Sequence, residues 1–289
     1  MTVAAQERSF TDDHGIRIFY DVHPACAEPR GIVQLLHGVG EHAGRYGALI
    51  ARLTDAGFTV YADDHRGHGR TGMAQWAGDA TKLGRLGPGG HRAAVAAVWQ
   101  FTRLIRDENP DLPLVIIGHS WGSFLTQILV NDHPEAFDAV VLSGSSLRWP
   151  GSLNSGDLNK PWQAPDALGV EWLASDLTVG RAFLDDPLTT TTTLPKLFGI
   201  RDVLRLLGKP RKDLGVDLPL LLMVGRDDTV GGPRGVHRLA DAYRTRSGLT
   251  DVTTLVYPGA RHEIFNETMA AAVFADLLAW LDARFPVRE

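Results

Sequence analysis

Along most of the 289 residues, short and continuously apolar runs alternate with stretches of helical spacing. The runs at residues 31–36 (GIVQLL), 58–61, 114–117 (LVII), 139–142 (AVVL), 218–224 and 252–257 show little polar alternation. Each is therefore predicted as a strand covered on both faces, and residues 16–22 add an early strand. Residues 93–106 place apolar positions at helical intervals, residues 123–130 suit a helix, and residues 268–285 read as an amphipathic one. The pattern predicts an α/β fold, a mostly parallel central sheet with helices on both faces. Ligands of such sheets bind outside the carboxyl ends of the strands.

The rhythm breaks between Ser146 and Asp217, where Pro150, Pro161, Pro165, Pro187, Pro195 and Pro210 interrupt short helical pieces and residues 189–193 are all threonine. This predicts a cap at 146–217 inserted into a core made of 1–145 and 218–289. Three of the seven tryptophans, Trp149, Trp162 and Trp172, fall in the insertion. They either fill its own small core or line an apolar pocket beneath it. A net charge of -5 without any Lys/Arg cluster argues against a nucleic-acid partner. The one cysteine, Cys26, has no internal partner, so nothing marks an oxidising compartment. Residues 1–8 lack an apolar signal core, and no apolar run approaches the ~20 residues of a membrane span. A cytoplasmic protein with no stable membrane insertion is expected.

Candidate chemistry centres on Gly118-His119-Ser120-Trp121-Gly122, a G-x-S-x-G sequence between an apolar run and a helical one. A sharp strand–turn–helix with small residues on either side strains the serine backbone and lifts its hydroxyl clear of the sheet. A serine nucleophile needs a base, and the base an orienting acid, here in the chain order Ser, Asp, His. The loop after the 218–224 run, Gly225-Arg226-Asp227-Asp228, offers Asp228 as the acid with Asp227 as its rival. The loop after the 139–142 run, Ser143-Gly144-Ser145-Ser146, holds no carboxylate. His262, between the last strand and the last helix, is the candidate base, its pKa near neutrality suiting proton transfer in both directions. The oxyanion hole is expected from the backbone N–H groups of Trp121 and Val39, the latter in the glycine-rich loop Leu36-His37-Gly38-Val39-Gly40. His37 is read as structural. A metal site built from Asp63, Asp64, His65, His68, His37 and His42 fits no helix-borne ligand spacing, and a polar loop bonding its own backbone suffices. No cofactor and no metal are required.

Together these residues resemble the α/β-hydrolase superfamily, and within it the monoacylglycerol lipase and bacterial lysophospholipase group filed with serine aminopeptidase-like hydrolases. His37-Gly38-Val39-Gly40-Glu41-His42-Ala43-Gly44-Arg45-Tyr46 is similar to that group's HGxGEHxxRY signature. Asp64-His65-Arg66-Gly67-His68-Gly69-Arg70-Thr71 resembles its D-x-x-GHG-x-S loop, with threonine in the serine place. Residues 171–176 and 185–188 resemble its WLSxD and DPL segments. The likeness spans roughly residues 32–267. It implies Ser120 as nucleophile, Asp228 as acid, His262 as base, and Val39 and Trp121 as oxyanion donors. It also implies substrate contacts from Glu41 and Arg45 near the alcohol end, although the two also suit an internal salt bridge, and Gly38 of the glycine-rich loop and Trp172 of the insertion are further candidate substrate contacts. The chain departs from the group at Trp121, in place of methionine, at Ser123, in place of glycine, and at Phe265, where monoglyceride lipases carry a glycerol-binding histidine.

The implied activity is hydrolysis of small-molecule acyl esters of monoacylglycerol or lysophospholipid type through an acyl-enzyme. Three alternatives stand beside it. In an aminopeptidase, acidic cap residues (Asp166, Glu171, Asp176, Asp185, Asp186) would hold a substrate amine. The same triad would also serve a small-ester esterase or perhydrolase. A non-catalytic receptor on this fold is the third, against which the full Ser, Asp and His set argues.

Overall fold

In the computed structural model, which describes residues 4–287, eight strands form one sheet. The first three residues of the 1–8 segment read above thus lie outside the described chain. The strands are β1 (Gln6–Thr11), β2 (Arg17–His23), β3 (Gly31–Leu36), β4 (Phe58–Asp63), β5 (Leu114–His119), β6 (Ala139–Ser143), β7 (Leu220–Gly225) and β8 (Val252–Tyr257). Their order across the sheet is β1-β2-β4-β3-β5-β6-β7-β8. β1, β2 and β4 pair antiparallel, and every pair from β4 through β3 to β8 is parallel. The helices are α1 (Gly47–Asp55), α2 (Gly69–Gln75), α3 (Gly90–Glu108), α4 (Trp121–Asp132), α5 (Leu177–Asp185), α6 (Leu194–Arg205), α7 (Gly232–Ala242) and α8 (Ala270–Asp282). This is the α/β-hydrolase arrangement that the motifs implied.

The strand pattern explains the two-layer core. Alternate residues of β5 face opposite ways, Ile116 joining Ile32, Leu222 and Phe101 on one side, and Val115 and Ile117 joining Val33, Leu221 and Met223 on the other. Both faces are apolar because helices cover both: α3, α4 and α7 bury Phe101, Leu125 and Leu239 in the first layer, and α1 and α8 bury Leu53 and Leu277 in the second. β1 was not anticipated. Its sequence QERSFT lies at the sheet edge, where one neighbour and solvent remove the demand for apolar residues.

Between β6 and β7 the chain leaves the sheet. Val170, Leu173 and Phe183 pack on one another with Leu168 and Trp172, while Leu197, Phe198 and Leu206 join the α3–α4 side of the main core. Inside α6 the helix is broken at Gly199, whose φ of 74° and ψ of 160° few other residues adopt. No helix among the described residues is long and apolar enough to cross a membrane.

Candidate active site

β5 ends at His119 and α4 starts at Trp121, leaving Ser120 alone in the turn with φ 52° and ψ −119°. A side chain is rarely held in this region, and the neighbours show why it persists here. A Cβ at Gly118 would stand 2.6 Å from the Gly122 carbonyl oxygen, and one at Gly122 would stand 2.3 Å from that of Leu36. The turn closes only because both positions are glycine. The Ser120 N–H donates to the Ser143 carbonyl at 2.9 Å, tying the turn to β6. Ser123, the departure from glycine, donates through Oγ to the Ser120 carbonyl at 2.5 Å and lies 2.8 Å from Ser145 Oγ.

The loops after β7 and β8 bring a carboxylate and an imidazole together. Asp228 Oδ2 lies 3.0 Å from His262 Nδ1, and Oδ1 accepts from the Val230 N–H at 2.7 Å. Both side chains are buried, whereas the rival Asp227 is exposed. Burial disfavours the charged imidazole, but the charge and hydrogen bond of Asp228 outweigh it and hold the His262 pKa above 6.5. Burial likewise opposes the Asp228 anion, and His262 and the Val230 N–H overcome it, leaving that pKa below the ordinary value. With Nδ1–H committed to Asp228, the buried His262 Nε2 has no hydrogen-bond partner among the described residues.

The loop after β3 faces this pair. Neither the Val39 N–H nor the Trp121 N–H donates to a protein acceptor among the described residues. The neighbouring Gly38 N–H does, to Glu41 Oε1 at 2.7 Å, and Tyr46 Oη donates to the same oxygen at 2.7 Å. Arg45 bonds Glu41 Oε2 at 2.7 Å and grips both oxygens of Glu263 at 2.7 and 2.8 Å. Glu41 and Arg45 therefore spend their polar atoms on Gly38, Tyr46, Glu263 and each other. Burial works against the Arg45 charge, but Glu263 and Glu41 raise its pKa above the ordinary value.

Side chains from the β6–β7 segment close the surroundings. The Trp172 ring lies 5.1 Å from that of His262. The Trp172 and Leu173 carbonyls accept the His262 and Glu263 N–H groups at 3.3 and 2.7 Å. Of the other two tryptophans, Trp149 is 45% exposed under Lys209, and Trp162 carries Arg261 on its ring. Three of the five acids noted in the sequence have local partners. Glu171 accepts from Asn159 and Gly169, Asp176 caps α5 at Thr178, and Asp186 bonds His42 and Leu188. Asp166 and Asp185 are exposed. Phe265 is buried against Phe274 in the core.

Two participants escaped the sequence reading. His119 packs its ring 4.7 Å from His262, and burial, followed by the His262 charge, lowers its pKa to about 3, so it is a neutral neighbour. Glu263, adjacent to His262, anchors Arg45 across 218 residues of sequence. Its position after His262 was the only available signal. In the loop considered for metal binding, His65 Nδ1 meets Asp63 at 2.7 Å, and Asp64 accepts from Ala43 and Arg70.

Residues 27–269 match the family described as serine aminopeptidase, S33. The chain is 32% identical to the monoacylglycerol lipase of Mycolicibacterium smegmatis over 95% of its own length and 96% of that protein. It is 25% identical to the mouse monoglyceride lipase over 89% of its length and 84% of the relative. A thermostable carboxyl esterase from Bacillus coagulans, solved in complex with glycerol, superposes with a TM-score of 0.84 at 27% identity, covering 98% of this chain and all of that one. The match over most of the chain, with the sheet order and the turn at Ser120, establishes that the protein belongs to the serine aminopeptidase S33 family of α/β-hydrolases.

Proposed function

We propose that the protein is a serine carboxylic-ester hydrolase acting on acyl esters of monoacylglycerol or lysophospholipid type. One observation carries the reading. A buried His262 oriented by Asp228 presents an unpartnered Nε2 in the same site as a serine held at positive φ, flanked by two uncommitted N–H groups. In this reading His262 Nε2 takes the Ser120 proton as Oγ attacks the ester carbonyl, and the Val39 and Trp121 N–H groups hold the oxyanion. Collapse of the tetrahedral adduct breaks the ester C–O bond, and His262 passes its proton to the leaving alcohol. Water, deprotonated by His262, then attacks the acyl-enzyme carbonyl, and as the acyl–Oγ bond breaks His262 returns that proton to Ser120 Oγ. No cofactor enters. The relatives named monoacylglycerol lipase support the substrate class.

Residues 146–217 form the cap in this reading, over a core of 1–145 and 218–289, and Trp172 covers the base. Glu41 and Arg45 act by holding the oxyanion loop through Gly38. The partner is a small-molecule ester met in the cytoplasm, where an unpaired Cys26 is at ease. Initial rates on p-nitrophenyl esters from acetate to palmitate test the reading. Ser120→Ala is expected to lower them at least ~10³-fold with the melting temperature little changed. Retained hydrolysis in that variant defeats the assignment, and turnover of aminoacyl-naphthylamides in preference to esters replaces it with a peptidase.

A further inference from the structure

Directly after Ser120 in the chain, the Trp121 indole sits in a box of imidazoles. Its ring lies 5.5 Å from that of His65, 5.1 Å from His68 and 6.3 Å from His91, and Phe198 of α6 closes the box at 5.1 Å. Trp121, His65, His68 and His91 are each at most 2% exposed. Yet Trp121 Nε1, His65 Nε2, His68 Nε2 and His91 Nε2 are buried with no hydrogen-bond partner among the described residues. Four orphaned nitrogens around one side chain are unusual, because buried polar groups are almost always paired.

The protonation pattern says what would pair them. Burial drives the pKa of both His68 and His91 down to about 4, so these rings are neutral. His68 Nδ1 faces the Arg66 carbonyl at 2.9 Å and must donate to it, which leaves Nε2 as a lone pair. Trp121 Nε1 is a donor only. Trp121 Nε1 thus offers a donor and the neutral His68 an acceptor. A carboxylate or phosphate would face the His68 lone pair, and an ammonium would face the indole N–H. A hydroxyl both gives and takes one hydrogen bond and satisfies both.

The direction follows from the proposed reaction, on which this inference rests. The leaving-alcohol oxygen must reach His262 Nε2, where Trp172 packs, so the acyl chain, the opposite substituent of the carbonyl carbon, is assigned to the other side of Ser120, whose next residue is Trp121. Phe198 separates the box from a groove of about 830 Å³ lined also by Ala93, Gly199, Arg201 and Arg205, and the break in α6 directly follows it. We propose that Trp121, His65, His68 and His91 form a subsite for a hydroxyl group on the acyl chain, and that hydroxyacyl esters are preferred substrates.

The test compares p-nitrophenyl hexanoate with its 2-, 3- and 5-hydroxy derivatives. The readout is the kcat/KM ratio of hydroxy to plain ester within each enzyme, so that any general loss of activity cancels. Wild type is expected to favour at least one hydroxy ester by about 10- to 100-fold. Trp121→Phe, which removes the donor and keeps the ring, is expected to bring the ratio close to 1, as is His68→Phe, which removes the acceptor. Measuring both covers the case in which one does not fold. A wild-type ratio near 1 for all three derivatives, with hexanoate still cleaved, means that the box holds water only and overturns the subsite while leaving the hydrolase. An unchanged ratio in Trp121→Phe overturns it as well. Failure of wild type to cleave any plain ester from acetate to palmitate defeats both readings.

Discussion

Arg45 distinguishes two roles for the signature loop, because its side chain is 10% exposed and those of Glu41 and Glu263 are 5% exposed. Arg45→Met keeps much of the aliphatic stem and leaves two carboxylates facing each other in a poorly solvated space. Removing one member of a buried ion network costs about 3–5 kcal/mol, far more than the ~0–1 kcal/mol of a surface pair. The guanidinium also lies 4.8 Å from the Phe183 ring, a contact that adds about 0.5–1 kcal/mol. At roughly 2–4 °C per kcal/mol for a chain somewhat shorter than this one, the melting temperature should fall by about 6–15 °C. Combining Arg45→Met with Glu41→Gln and Glu263→Gln should restore most of that loss. Neutral groups no longer repel, and the amide oxygen introduced by Glu41→Gln still accepts the Gly38 N–H.

Activity separates the roles further. If the network acts by positioning the oxyanion loop, Arg45→Met lowers kcat/KM by a similar factor for p-nitrophenyl decanoate and for monodecanoylglycerol, which share an acyl chain. If Arg45 instead contacts the glycerol hydroxyls, only the second substrate suffers and the melting temperature barely moves. Thermal melts followed by circular dichroism and initial rates on the two esters decide it. An unchanged melting temperature with a glycerol-specific defect refutes the positioning argument.

Two further outcomes follow from the buried histidines. Because His262 is held above 6.5 and must be neutral to act as base, the acid limb of the kcat/KM profile should have its midpoint above pH 6.5. Asp228→Asn should shift that limb to lower pH and cut kcat by about 10³–10⁴-fold, and a wild-type midpoint at or below 6.5 contradicts the coupling. His119 has its folded pKa depressed to about 3 from 6.5, so as pH falls between those values the unfolded chain binds a proton that the folded one rejects. Its contribution to stability is therefore full above pH 6.5 and is lost progressively on acidification, with a slope of about 1.4 kcal/mol per pH unit. Urea midpoints between pH 6.5 and 4.5 should fall less steeply in His119→Gln than in wild type, and identical slopes refute the assignment.

The parallel strands were legible because burial on both faces demands uninterrupted apolar residues, as in LVII and AVVL. β1 was not, since an edge strand bonded to one neighbour can read QERSFT. The turn at Ser120 is also a local matter: glycine at 118 and 122 and the flanking strand and helix are all written within a dozen residues. Asp227 and Asp228 were harder to separate, because only the path of the loop after β7 turns one inward and leaves the other exposed. Glu41 and Arg45 were ambiguous for a different reason. A sequence shows which side chains have charge to share but not with what they share it, and Glu263 lies 218 residues from Arg45.

The same consideration bears on how the insertion relates to the site. Its 171–175 stretch is bound to the loop carrying His262 by the His262 and Glu263 N–H groups on Trp172 and Leu173, by Arg261 on the Glu171 and Ala174 carbonyls, and by Ser175 on Glu267. Lifting this stretch would strip His262 of the groups that fix its backbone, so it is part of the support of the Asp228–His262 pair. α6 is held differently. Its helix is already broken at Gly199, and beyond the break Ile200 and Leu204 are 77% and 60% exposed. Asp202 ties it to the start of α3 through the His91 N–H at 3.0 Å, a helix cap supplied from another element. The 171–175 stretch is thus fixed to the loop of His262 itself, whereas α6 is held to α3 and, through Leu197 and Phe198, to the core.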